Sequence, residues 1–241
     1  MEQSLKSTKK ELTSILFDLD GTLLDSRDCI VNAAYDIVQK YYPQALSYQE
    51  LLHCFGLDIA DRLADIDISQ KEIRKEFISI KLRSYPSNLL FPSVKEGLQK
   101  LVANGIRLGI VTNQQKDLVF QLLENTELKN MFHVIVTGDD VTHRKPDPEP
   151  IQQAIDKLGE TNASVWMVGD TLYDLQAAHD AGVHSVLFQF YEKHTFDHHQ
   201  VTPHFTFTCF QEFVDFAITY KRHACEDNKP KTTSKEGVHF G

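Results

Sequence analysis

Five short, largely apolar runs punctuate this chain of 241 residues, and helix-like stretches separate them. Ile15-Leu16-Phe17 stops at Asp18, and the run from Ile106 stops at Thr112-Asn113. Val134 to Thr137 ends at Gly138-Asp139-Asp140, Val165 to Val168 ends at Gly169-Asp170, and Val183 to Phe188 follows Gly182. Near-continuous apolar strands alternating with helices predict a parallel sheet covered on both faces. The expected fold class is therefore α/β, with a doubly wound, Rossmann-like core. In such sheets ligands sit beyond the carboxyl ends of the strands. Here those ends carry Asp18 and Asp20, Thr112 and Asn113, and Gly169 and Asp170.

Between the first two runs the pattern is helical. Ile30, Ala33, Ala34, Ile37 and Val38 recur at helical spacing, and Pro43 stops that helix. Ser47 to Glu50 and Ser69 to Glu72 match the capping box, and Ser93 to Glu96 is expected to cap a further helix. The predicted organisation is a catalytic core of residues 1–25 and 91–220, a small all-α cap inserted over 26–90, and a flexible polar tail over 221–241. Gly159 and Gly182 are expected to close helices. Trp166 and Phe205, Phe207, Phe210, Phe213 and Phe216 are expected in the core.

A net charge of −9 and a pI of about 5.6 argue against a nucleic-acid or anionic-membrane surface. No run approaches the ~20 apolar residues that span a bilayer, and the first residues lack the apolar stretch of a signal peptide. The four cysteines are scattered and form no Cys-x-x-Cys pair, so reduced thiols and a cytoplasmic location are expected.

The chemistry lies in four separated segments: Asp18-x-Asp20, Thr112-Asn113, Lys145, and Gly169-Asp170 with Asp174. On an extended backbone Asp18 and Asp20 point to one face, and Gly21 lets the chain turn away. Alone, that quartet also suits a solvated Asp-Gly turn. Together the segments supply a nucleophilic carboxylate, a second acid, a hydroxyl, a cation and two further carboxylates. Phosphoryl transfer needs those parts, because its catalysis is mostly positioning and charge neutralisation. So many acids call for a hard cation such as Mg²⁺.

With these motifs, in this order over about residues 12–220, the chain resembles the haloacid dehalogenase superfamily of phosphohydrolases, most of all its phosphoglycolate phosphatase-like branch. The resemblance implies that the Asp18 strand is central and that the active site lies between core and cap. It implies that Asp18 forms an aspartyl-phosphate, and that Asp20 protonates the leaving oxygen and later activates water. It implies Mg²⁺ held by Asp18, the Asp20 carbonyl, Asp170 and, through water, Asp174. Thr112 and Asn113 would bind the phosphoryl group, and Lys145 would offset its charge. Dehalogenases proper lack the second acid, so Asp20 favours phosphate chemistry. The expected partner is a small phosphorylated metabolite, and the expected assembly is a monomer or homodimer.

Two alternatives stay open: a phosphosugar mutase of the same superfamily, and a non-catalytic binding module on this fold. The mutases usually carry a histidine where this chain has Ile30. Arg144 is expected to be a solvated loop charge, and His194, His198, His199 and His204 surface histidines. Gly56 matches a glycine of the relatives' substrate-facing cap loop, or else ends a helix. Arg62, Lys71, Arg74 and Arg83 in the cap could grip a second anion of the substrate, though most of them are expected to be simply solvated.

Overall fold

A computed structural model describes residues 11–43, 45–53, 71–86, 88–191 and 201–227. Strands β1 (Ser14–Phe17), β2 (Arg107–Val111), β3 (Val134–Val136), β4 (Val165–Gly169), β5 (His184–Phe188) and β6 (Phe205–Phe207) form one sheet. Their order is β3-β2-β1-β4-β5-β6, and every pairing is parallel. The doubly wound core expected from the apolar runs is present, with β1 inside the sheet. The chain reverses direction across the sheet between β1 and β4, the switch point where open α/β sheets bind ligands.

Alternation along β1 divides the core. Ile15 and Phe17 face one apolar cluster with Trp166, Phe188 and Phe213, and Leu16 faces another with Ile151, Met167 and Ala177. Helices α4 (Val94–Ala103), α5 (Lys116–Asn125) and α8 (Phe210–Asp227) cover the first face. Helices α6 (Glu149–Leu158) and α7 (Leu172–Asp180) cover the second. Trp166 is 1% exposed among Phe205, Phe216 and Tyr220, as a core tryptophan should be.

Between β1 and β2 lie α1 (Arg27–Tyr41), α2 (Tyr48–His53) and α3 (Lys71–Ser84). Ile30, Val31, Ala34, Ile37 and Val38 pack with Leu51 and Ile73 into a separate cluster. The Ser47 box is made: Ser47 N–H donates to Glu50 Oε2 at 2.8 Å, and Glu50 N–H donates to Ser47 Oγ at 3.3 Å. This helical unit meets the core where Leu24 bridges Leu90, Asp25 N–H donates to Leu89 O, and Phe91 N–H donates to Leu23 O. Ser69, Gly56, Arg62, His194, His198 and His199 lie outside the described residues, as do the side chains of Lys71, Glu72 and Arg74.

Three expectations are corrected. Ser93 precedes α4 but makes no side-chain cap bond. Its φ of 63° is left-handed, whereas a capping serine is extended. The polar segment from Lys221 does not begin as a flexible tail, because α8 continues through Asp227. Lys221 Nζ donates to Gly105 O at 2.6 Å and Ala224 is fully buried, so one face of those turns still docks. Arg144 is not simply solvated: its Nε donates to Gly138 O at 3.2 Å. His204 is exposed as expected, and its Nδ1 also accepts from Ser185 N–H at 3.1 Å. No helix among the described residues is long and apolar enough to cross a membrane.

Candidate active site

Strand register brings the polar ends level. Phe17 lies opposite both Ile110 and Val168, so the next residue, Asp18, falls beside Val111 and Gly169. Asp18 N–H donates to Val168 O at 2.8 Å, which carries the β1–β4 ladder into the site. Asp18 is 7% exposed and Asp170 6%.

Lys145 enters from the loop between β3 and α6. Its ammonium donates to Asp18 Oδ1 at 2.8 Å, Val111 O at 2.8 Å and Asp174 Oδ1 at 2.6 Å. An ammonium has three protons, and these acceptors use them all. Burial works to lower the Lys145 pKa, but the Asp174 and Asp18 carboxylates outweigh it and hold the group raised. At Asp18 burial dominates, pushing the carboxyl up to about 7 against the pull of Lys145, with Asp174 adding repulsion. Burial and then the Asp18 and Asp174 charges also raise Asp170 well above the carboxylate range.

Local sequence explains the placement of the last two acids. Thr171 and Asp174 form a capping box on α7: Thr171 N–H and Oγ1 donate to Asp174 Oδ2 at 3.1 and 2.6 Å. Asp174 therefore serves Thr171 with one oxygen and Lys145 with the other. A Cβ on Gly169 would stand 2.3 Å from Asp174 Cγ, and one on Gly21 would stand 2.2 Å from Asp170 Oδ2. Gly21 also has a φ of 76°. Both glycines make room for carboxylates as well as turning the chain.

Thr112 is 3% exposed, and its Oγ1 accepts from Gln114 N–H at 3.2 Å. Among the described residues its own proton has no acceptor, so it is free to donate to a ligand. The Asn113 side chain clamps the Lys145 backbone, accepting from Lys145 N–H at 3.0 Å and donating to Lys145 O at 2.9 Å. Asp20 Oδ2 accepts from Gln114 Nε2 at 2.7 Å, whereas Asp20 Oδ1 is buried with no partner among the described residues. Thr22 Oγ1 donates to Asp170 Oδ1 at 3.1 Å. Sequence reasoning missed Gln114, Thr22 and the Asn113 side chain. The Thr171-x-x-Asp174 spacing carried a capping-box signal; Gln114 and Thr22 carried none.

Oxygens of Asp18, Asp170 and Asp174 lie within 4.8 Å of one another. Three buried carboxylates facing one ammonium leave negative charge uncompensated, and an all-oxygen donor set suits a hard divalent cation. The Asp20 carboxylate is not in this cluster; only its main-chain carbonyl was expected to ligate. Arg83 is exposed, its Nε donating to Ser79 O at 3.2 Å within α3.

Residues 15–188 match the family model described as haloacid dehalogenase-like hydrolase. The pyrophosphatase PpaX of Bacillus pumilus is 35% identical over 176 residues, covering 71% of this chain and 80% of that protein. PpaX of Oceanobacillus iheyensis is 35% identical over 174 residues, covering 71% and 81%. Among solved structures, a predicted phosphoglycolate phosphatase from Haemophilus somnus superposes with a TM-score of 0.68 at 25% identity, covering 86% of this chain and 98% of that one.

Proposed function

The chain belongs to the haloacid dehalogenase-like hydrolase family and is a phosphatase, and on that premise we propose that it hydrolyses a small phosphorylated metabolite through an aspartyl-phosphate on Asp18. The carrying observation is the buried Lys145 ammonium, bonded to Asp18, Asp174 and the end of β2 at once. It fixes one oxygen of Asp18, and among the described residues no hydrogen bond engages the other. Names of the relatives add inorganic pyrophosphate and phosphoglycolate to the candidate substrates.

Asp18 attacks phosphorus while the bond to the leaving oxygen breaks, and Asp20 supplies that oxygen with a proton. Water then attacks the aspartyl-phosphate, Asp20 takes its proton, and phosphate departs. Thr112 donates its hydroxyl proton to a phosphoryl oxygen, and Lys145 neutralises charge at the nucleophile. Asp18, Asp170 and the Asp20 carbonyl would hold Mg²⁺, with Asp174 supporting its waters, and the bound ion would neutralise phosphoryl charge. The mutase alternative wants a histidine at position 30, but Ile30 is 6% exposed inside the helical cluster.

Asp18→Asn tests the nucleophile. Metal-dependent phosphate release should fall at least about 10³-fold, with the circular dichroism spectrum unchanged. Retained turnover would refute the assignment.

A further inference from the structure

Four buried side-chain polar atoms among the described residues lack a hydrogen-bond partner. Two of them are Asp20 Oδ1 and the Tyr85 hydroxyl. A buried polar group without a partner costs stability, so each one that persists calls for a reason, and a functional role is one such reason. The Asp20 charge acts on the Tyr85 phenol, and bridged backbone runs between their segments. Asp20 bridges Leu24, and Leu24 bridges Leu90, a few residues beyond Tyr85. Cys29 Sγ donates to Ser84 O at 3.3 Å, pinning the end of α3 against α1 just before Tyr85. The Tyr85 ring packs on the main core, so its position does not depend on α3 alone. Burial first, and then the charges of Asp20 and Cys29, raise the phenol, which stays a neutral donor.

We propose that Tyr85 is a specificity residue whose hydroxyl binds the leaving group of the substrate beside the free oxygen of Asp20. Asp20 protonates the bridging oxygen, so a neighbouring donor suits a second oxygen on the departing fragment. The favoured substrates are then those whose leaving group is itself oxygen-rich, such as pyrophosphate, phosphoglycolate or a sugar phosphate. This inference rests on the phosphatase reading above.

Tyr85→Phe keeps the ring and removes only the hydroxyl. With Mg²⁺ present, kcat/KM would be measured for those three substrates and for phenyl phosphate, whose leaving group has no second oxygen. For the best oxygen-rich substrate it should fall about tenfold, while phenyl phosphate hydrolysis stays unchanged. The melting temperature should hold or rise, because an unpaired buried hydroxyl is gone. Equal losses on both substrate classes, or a lowered melting temperature, would mean that Tyr85 is structural. A wild-type enzyme that prefers phenyl phosphate would also overturn the proposal while leaving the phosphatase reading intact. Wild-type protein inactive on every ester would instead remove that reading.

Discussion

Burial drives the Asp170 carboxyl well above its ordinary range, and the Asp18 and Asp174 charges push the same way. A carboxyl raised in the folded state holds its proton more tightly there than in the unfolded chain. Its ionisation therefore costs stability as pH rises above about 4. Asp170→Asn keeps an acceptor for Thr22 and removes the charge. Metal-free, the variant should melt about 2–4 °C above wild type at pH 7.5, with the gap closing as pH falls toward 4. Mg²⁺ should raise the melting temperature of wild type and leave the variant nearly unmoved. Scanning calorimetry with and without chelator measures both, and a metal-free variant that melts lower would contradict the electrostatic account. Asp18, Asp20, Lys145 and Asp170 stood out in the sequence because each sits in a short local pattern at a strand end or loop, and Asp174 because it follows Asp170 into the first turn of α7. Gln114 did not, since its partner Asp20 is 94 residues away and nothing beside either residue announces the contact.

Among the elements, the loop carrying Lys145 is tied to the end of β2 by the two Asn113 bonds. Asn113→Ala removes both and leaves Lys145 N–H and C=O without those partners. Two lost bonds of about 1 kcal/mol each should lower the melting temperature by about 4–8 °C. A slackened Lys145 should also cost about tenfold in kcat, with KM moving less. Asn113→Asp keeps the acceptor for Lys145 N–H and should lose less stability. Equal kcat in wild type and Asn113→Ala would show that the clamp does not position the ammonium. The sheet was readable because its strands are apolar runs bounded by glycine or polar residues. The end of α8 was not, because Lys221 and Arg222 look like a tail until Ala217, Ile218 and Ala224 are seen docking on one face. Ser93 misled for a similar reason: the capping pattern is present, but the backbone enters α4 left-handed.

At the scale of the molecule, the helical unit and the sheet have separate apolar clusters, with Tyr191 packed against both. Tyr191 Oη donates to Asp25 Oδ1 at 2.7 Å, and the Arg27 guanidinium lies 4.0 Å over its ring. Among the described residues the junction thus rests on Tyr191, on Leu82 and Tyr85 packed against the main core, on a short stretch of bridged backbone and on Asp25, whereas β1 is laddered on both sides. Elements with a small core of their own open at lower free energy than a central strand. Amide hydrogen exchange should therefore lose protection in α1, α2 and α3 well before β1, β2 and β4. If the substrate is held between the two units, Mg²⁺ with vanadate should slow exchange in α1 and α3 by at least about tenfold. The same addition should not protect the far strand β6, which lies beyond β5 from the site. Uniform exchange across helices and sheet, unaffected by the added ions, would mean that the helical unit does not act as a cap over the Asp18 site.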